Sequence, residues 1–541
     1  MFDQVITTAL LYANGPLHLG HLVEHIQADT YVRSQRMQRQ KCLFVGGSDA
    51  HGTPIMLSSQ QQNLTAEQLV SKIHAEHRSD LENFSIFYDQ FSTTHDKENQ
   101  TLTEACFNAL YEKGLITTRE INQPYDAVAK MFLPDRYITG QCPKCHAEKQ
   151  YGDNCEACGA TYAAHDLIQP ISTLSKTTPI TKTSRHYFFK LSDCQTFLDQ
   201  WLNRLETHPS VIKKLREWFK DGLKDWDISR DEPYFGFKIP GEDHKYFYVW
   251  LDAPIGYMAA CLQYCSRKKL SFDDIWHTNA TTKLKHFIGK DITYFHALFW
   301  PAILHGANYR LPNAIYTHGF LTINGTKMSK SRNTFITAKT YLDYFEPDLL
   351  RYFFCCKLSD HVEDIDLNWQ EFKSRIDTEL VGKVINIASR SAKLLSKHFD
   401  NTLLKIDTQQ DLYQMCLRTS ETTQAFMNNR QFNQATREII SCADQINQYL
   451  ADQAPWALVK ELATMTSAHE VCSHAIQCFR CLITLLKPIT PNICQRAEQF
   501  INHSDHHFDD ILTPLPAGHK LNPYEHLLQR ISPESLNQLV G

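Results

Sequence analysis

The sequence predicts a parallel α/β domain, interrupted by a cysteine-bearing insertion and followed by an α-helical bundle. Three observations lead there. Short apolar runs alternate with helical periodicity near the start of the chain. The interval from about Ile116 to Lys190 breaks that alternation with a stretch rich in Cys, Gly and Pro. Finally, 17 of the 20 glycines fall by Gly325, so the last 216 residues have a different composition.

Taken in order, Val5 to Leu11 reads as a strand, Leu19, Leu22, Val23 and Ile26 follow at helical spacing, and Leu43, Phe44 and Val45 form the next strand. Strand, helix and strand at this spacing make a βαβ unit on a parallel sheet. Thr65 and Gln68 are placed as a capping box, with Leu64 and Leu69 as its hydrophobic staple, which starts a helix running to near Phe84. After the insertion the alternation resumes around Tyr246, Phe287 and Ile315, and Phe320 to Ile323 lead into Asn324-Gly325, a two-residue hairpin signal. Beyond about Ala338, stretches such as Val381 to Phe399 and Ala435 to Leu450 are long and periodic, as in a helical bundle.

A chain of 541 residues exceeds one hydrophobic core and predicts about three to five domains. With 43% hydrophobic and 21% charged residues the composition is that of a globular protein. No run approaches the roughly 18 apolar residues of a membrane span. Fifty-five Lys and Arg against 60 Asp and Glu exclude a polybasic nucleic-acid coat, so an RNA partner must be met by local patches such as Lys213, Lys214 and Arg216, which a solvated helix face explains equally well. No export signal is visible at the start, and 17 cysteines, an odd number, do not read as a disulfide framework. The expectation is a cytoplasmic protein with no membrane partner.

Chemistry concentrates at four places. Tyr12-Ala-Asn-Gly-Pro-Leu-His18-Leu-Gly20-His21 lies between the first strand and first helix, where helix N–H groups meet phosphate. His18 and His21 place two imidazoles on one turn, and Gly20 lets a nucleotide approach the backbone. Far along the chain, Lys327-Met-Ser-Lys330-Ser331 puts two ammonium groups on a loop beyond the hairpin, suited to the charge of a departing pyrophosphate. Alone, the first reads as packed histidines and the second as a solvated loop; together they indicate nucleotide chemistry. Cys142-x-x-Cys145 and Cys155-x-x-Cys158 can close a tetrahedral thiolate site around zinc. Four thiolates leave no position for water, so the metal is expected to be one structural zinc ion per chain. The remaining cysteines, including Cys355, Cys356, Cys478 and Cys481, read as small buried hydrophobes.

The pair His18-Leu-Gly-His21 and Lys327-Met-Ser-Lys-Ser331 resembles the paired signatures of class I aminoacyl-tRNA synthetases. Asp49-Ala-His-Gly-Thr-Pro54, Trp226-Asp-Ile-Ser-Arg230, Tyr248 to Tyr257, Phe287-Ile-Gly-Lys-Asp291 and Ala454-Pro-Trp456 are similar to the methionyl-tRNA synthetase family in particular. The resemblance spans essentially the whole chain. It implies a Rossmann-type catalytic domain with a zinc-knuckle connective insertion, followed by an α-helical bundle that binds the anticodon. The implied divisions are residues 1–115 and 236–325 for the two catalytic halves, 116–235 for the insertion, 326–375 for the signature loop and stem-contact region, and 376–541 for the anticodon domain and tail.

The implied activity is methionine–tRNA ligation: methionyl adenylate and pyrophosphate form from methionine and ATP with magnesium, and the terminal adenosine of initiator and elongator tRNA(Met) then takes the methionyl group. Catalysis falls to His18, His21, Lys327 and Lys330, and ATP binding to Gly20, His21, Gly289, Asp291 and Lys330. Methionine lies among Leu10, Tyr12, Trp250, Ala253, Pro254, Tyr257, Ile292 and His296, with Asp49 at its ammonium group. Aromatic faces and one weak donor, from Tyr257 or His296, suit a thioether. Asn386, Arg390 and Trp456 match positions that read a CAU anticodon. Without the resemblance, Trp250, Tyr257 and Trp456 are ordinary core aromatics and Asp49 a turn residue.

Three departures stand out: Leu11 where many relatives have Pro, Ser48 in place of an acidic neighbour of Asp49, and Asn333 in place of a glycine. Other readings are a synthetase for another apolar amino acid, which usually carries a large editing insertion, and a catalytically silent RNA-binding relative. A monomer is expected, because dimerising relatives often append a further C-terminal domain.

Overall fold

In the computed structural model, residues 2–134, 137–152, 155, 157–160, 162, 164–327 and 335–540 are described, with backbone alone for His165 and Lys327. A six-stranded sheet holds the site. Its strands are β1 (Gln4–Thr8), β2 (Leu11–Tyr12), β3 (Cys42–Asp49), β4 (Gln90–Thr93), β5 (Lys283–Gly289) and β6 (Ala314–His318). The order is β6-β5-β1-β3-β2, with β4 also on β3, and every pairing is parallel. The expected opening strand is thus two strands, broken at Ala9-Leu10 where the chain turns into the cleft.

Alternation along these strands divides the interior. Ile6 and Phe44 face the core that includes α1 (Leu19–Met37) and the C-terminal helices, while Val5, Leu43 and Val45 face a second core with Leu198, Leu215 and Trp300. This is the period-2 pattern of strands covered on both faces. Because the first core continues from the sheet into the helical region, the two are packed as one body on that side. Arg351 pins the junction: buried, its guanidinium pairs with Asp29 at 2.6 Å and donates to the carbonyls of Pro488 and Ile489 at 2.9 and 2.8 Å. A buried charge satisfied on several sides resists removal of any one partner.

The predicted cap of the second long helix is present. Thr65 Oγ1 accepts from the Gln68 N–H and Gln68 Oε1 from the Thr65 N–H, the helix runs Ala66–Asn83, and Leu64 and Leu69 pack in one cluster. Asn324 and Gly325 both have positive φ, 48° and 74°, and close a hairpin between Leu321–Ile323 and Thr326–Lys327. Phe287 and Ile315 lie on the central sheet, as expected. Tyr246 does not: it belongs to an antiparallel ribbon in which Lys245–Phe247 pairs with Ser229–Asp231. Its short alternating run fits a half-covered ribbon as well as a core strand, and only the partner decides between them.

The interval after Ile116 builds its own sheets. Ile116–Asp126 pairs along its length with Ile180–Phe189, and Ile138–Gln141 lies between Gln150–Tyr151 and Ile168–Ser172. The helical region contains α2 (Asn386–His398), α3 (Asp411–Asn428), α4 (Phe432–Gln453) and α5 (Met465–Leu486). Among the described residues no helix is long and apolar enough to cross a membrane.

Candidate functional site

The cleft opens beyond the carboxyl ends of β1, β3 and β5, where parallel α/β sheets bind ligands. It measures about 1050 Å³ and is roofed by insertion residues including Pro124, Leu133 and Tyr137. All nine residues expected around methionine line it: Leu10, Tyr12, Asp49, Trp250, Ala253, Pro254, Tyr257, Ile292 and His296. They come from four separate stretches of chain. A π-helix, Phe295–Phe299, shapes one wall, and Pro301 follows it after Trp300. Proline lacks an N–H and crowds the carbonyl four residues back, and the wider turn accommodates both. Phe295 there stacks on Trp250, with ring centres 3.6 Å apart and planes within 5°.

Asp49 ends β3 beside Tyr12, its register partner on β2. One carboxylate oxygen, Oδ1, is buried without a hydrogen-bond partner among the described residues. Burial, and then the neighbouring carboxylate of Asp252, hold the Asp49 carboxyl well above the usual range, while the His51 N–H favours its ionised form. A buried carboxylate without a cation is costly. An ammonium group supplies what it lacks. Asp252 is itself tied to His51 Nδ1, whose Nε2 lies 3.0 Å from His95 Nδ1. Neither Asp252 nor His51 has an assigned role in the sequence reading, since 201 residues separate them.

Tyr257 Oη lies 2.8 Å from His296 Nε2, and His296 Nδ1 lies 3.1 Å from the Ile292 carbonyl. A carbonyl only accepts, so Nδ1 carries the proton and Nε2 accepts from the tyrosine hydroxyl. Burial keeps His296 neutral, pushed down to about 4. The Tyr257 hydroxyl, one of the two groups considered as a donor to a thioether, is therefore bonded to His296, and the His296 N–H to the backbone. Arg230, named in the sequence only as part of a similar stretch, also lines the cleft, 3.8 Å over the Tyr248 ring and 3.2 Å from Asp227.

His18 caps α1. Its Nδ1 accepts from the Gly20 N–H at 3.1 Å, and His21 Nδ1 accepts from the His18 N–H at 3.3 Å. The reciprocal pair fixes both tautomers, because each Nδ1 is an acceptor and the neutral ring then carries its hydrogen on Nε2. The rings stack 3.7 Å apart. Burial pushes His18 down to about 4 and His21 well below the usual histidine range. They are neutral donors rather than cations. At Gly289, the end of β5, a Cβ would lie 2.7 Å from Asp291 Oδ1, so a side chain there would displace the Asp291 carboxylate.

The segment from Phe335 to Ala338, which follows the second signature in sequence, is joined to the first. Leu19 N donates to the Ile336 carbonyl, Ala338 N to the Leu17 carbonyl, and Phe335 meets the His18 ring edge-on at 5.2 Å. Lys327 pairs through its backbone with Thr322. Lys330, Ser331 and Asn333 lie outside the described residues. The two remaining departures, Leu11 and Ser48, are register partners, and Ser48 Oγ lies 3.0 Å from His74 Nδ1.

The four cysteines of the insertion form two matching knuckles. Cys142 N donates to Ala147 O and its carbonyl accepts from His146 N; Cys155 repeats this with Ala160 and Gly159. His146 and Gly159 occupy the same left-handed position, φ 61° and 72°. The four Sγ atoms lie within 4.8 Å of one another, with Cys142–Cys158 at 3.8 Å and Cys145–Cys155 at 3.5 Å. Zinc–sulfur bonds of about 2.3 Å in a tetrahedron put sulfurs about 3.8 Å apart. The cluster fits such an ion.

On the helical region, Asn386 and Arg390 are one turn apart on α2, and the Arg390 guanidinium lies 4.4 Å over the Trp456 ring, which is 39% exposed. An exposed indole topped by a cation is not a core residue. Lys214 pairs with Glu217 and Arg216 with Asp199, so part of that basic patch is neutralised.

A parallel sheet with a capped His-x-x-His turn tied to the segment after the second signature defines a class I synthetase fold. Residues 4–392 match the family described as tRNA synthetases class I (M), and residues 405–540 the anticodon binding domain of methionyl tRNA ligase. The chain belongs to the methionyl-tRNA synthetase family, whose members are ligases forming aminoacyl-tRNA. Among solved structures it is similar to Mycobacterium tuberculosis methionyl-tRNA synthetase in complex with methionyl-adenylate, at TM-score 0.80 and 22% identity over 97% of this chain and 99% of that one. The apo form of the same enzyme matches at TM-score 0.74 and 21% identity, over 98% and 99%.

Proposed function

We propose that this cleft binds methionine and ATP side by side and that the residues around it divide the work of methionyl-tRNA synthesis. Asp49 receives the ammonium group, and Trp250, Tyr257, Ile292 and His296 enclose the side chain. The methionine carboxylate attacks the α-phosphorus of ATP and pyrophosphate leaves; the terminal adenosine of tRNA(Met), initiator or elongator, then attacks the acyl carbon and releases AMP. His18 and His21 donate from Nε2 to phosphate oxygens, and Lys327 and Lys330 carry positive charge to the leaving group. Gly20, Gly289 and Asp291 hold the nucleotide. Magnesium accompanies ATP. Positioning and electrostatics carry the chemistry, with no covalent enzyme intermediate.

The carrying observation is the convergence of nine residues from four stretches on one cleft that contains a buried carboxylate oxygen without a partner among the described residues. The finer assignments belong to the same proposal: one structural zinc on Cys142, Cys145, Cys155 and Cys158, anticodon contacts from Asn386, Arg390 and Trp456, the domain divisions given above, and a cytoplasmic monomer. Exchange of labelled pyrophosphate into ATP, run across the amino acids, tests the reading. Methionine should support exchange far better than isoleucine, valine or leucine; no exchange with any amino acid would leave only an RNA-binding role.

A further inference from the structure

The recognition surface around Trp456 contains a lock that no sequence motif marks. Asn447, on α4, donates from Nδ2 to the Lys383 carbonyl at 2.9 Å and to the Ala443 carbonyl at 2.9 Å. Carbonyls only accept, so these bonds leave no choice about which end of the Asn447 amide is which. Its Oδ1 therefore faces Asn386, which donates to it from Nδ2 at 3.2 Å. Neighbouring Lys383 is held by Asp444 at 2.7 Å.

The consequence lies at the other end of the Asn386 amide. With Nδ2 engaged inward, Oδ1 is the group left for a ligand, and among the described residues it has no partner. One turn away, Arg390 offers only donors. An acceptor beside a set of donors complements the Watson–Crick edge of cytosine, which presents an amino group beside two acceptors. Uracil presents a carbonyl where cytosine has the amino group, and meets the Asn386 oxygen with repulsion. A free asparagine amide rotates to offer either end and reads both pyrimidines.

We propose that Asn447 is a positioning residue that locks the Asn386 amide with its oxygen toward the RNA, and thereby selects cytosine over uracil for the base seated at Trp456. The proposal rests on the anticodon reading of Asn386 and Trp456 given above. Asn447 touches no base. It acts by removing the alternative orientation of a residue that does.

The test compares charging of two transcripts of tRNA(Met), with C or with U as the anticodon's first base, by the full-length protein. Asn447→Leu and Asn447→Ala should each lower the C-over-U ratio in kcat/KM by about tenfold or more, the scale of discrimination lost with one misdirected hydrogen-bonding pair. Methionine-dependent pyrophosphate exchange should remain at the wild-type rate. In an Asn386→Asp background, whose carboxylate accepts in either orientation, adding Asn447→Leu should change the ratio by less than about twofold. A wild-type ratio in both Asn447 variants, or an equal fall in the Asn386→Asp background, overturns the lock. Normal charging by Asn386→Ala and Trp456→Ala would instead remove the anticodon reading beneath it.

Discussion

The cleft proposed for methionine and the surface around Trp456 are built in opposite ways. In the cleft a carboxylate oxygen of Asp49 is buried with no partner among the described residues, and its carboxyl is held above its ordinary range by burial and by Asp252. At the surface, Asn386 is already bonded to Asn447 and the Arg390 guanidinium already rests on the indole. The cleft holds a buried carboxylate oxygen left open, whereas the surface holds the Asn386 amide and the Arg390 guanidinium in fixed orientations. Removing the central residue of the first should cost far more than removing that of the second.

The largest effect is expected at Asp49. Asp49→Asn keeps the shape and removes the charge, and loss of one partner of a buried ion pair costs about 3–5 kcal/mol. Methionine affinity by calorimetry should fall by roughly 10²- to 10³-fold or more. Next comes Lys330→Ala, expected to slow pyrophosphate exchange by roughly 10²- to 10³-fold, as for loss of one stabilising donor, with methionine affinity nearly unchanged. Wild-type exchange in this variant would withdraw the assignment.

Trp456→Ala sharpens the contrast from the other side. Charging of tRNA(Met) should fall about five- to 150-fold, the worth of one base stack of about 1–3 kcal/mol, while exchange stays close to normal. Parallel losses in both reactions with a lower Tm would mark Trp456 as a packing residue. The insertion roofs the cleft, but none of its four clustered cysteines lines it. Purified protein should contain about one zinc per chain, and Cys145→Ser should lose it with a smaller effect on exchange than Asp49→Asn. Unchanged zinc content would move the metal elsewhere.

What the sequence made legible were groups whose meaning is local. The Thr65 and Gln68 cap, the Asn324-Gly325 turn and the two cysteine knuckles each depend on residues a few positions apart, and each adopts the geometry its spacing requires. The nine cleft residues were identified through resemblance to a family and then found together. What escaped was long-range and polar: His51 with Asp252, Asn386 with Asn447, and the tie between Leu17–Leu19 and Ile336–Ala338. No periodicity announces a hydrogen bond between distant side chains. The mutual bond of Tyr257 and His296, each considered alone as a donor to a thioether, belongs to the same class.

The central claim is that the buried Asp49 carboxyl waits for an ammonium group, and the pH dependence of methionine affinity tests it most directly. The sign follows from the raised carboxyl. Below its folded-state pKa the group is protonated and cannot pair with the ammonium; as pH rises through that value it ionises and binding strengthens, by at most about tenfold per pH unit. Calorimetric titrations from pH 5.5 to 8.5, a range in which methionine keeps its ammonium, should show wild-type affinity rising with pH, with Asp49→Asn weak and flat throughout. An Asp49→Asn protein that binds methionine as tightly as wild type, with the same pH profile, would contradict the account.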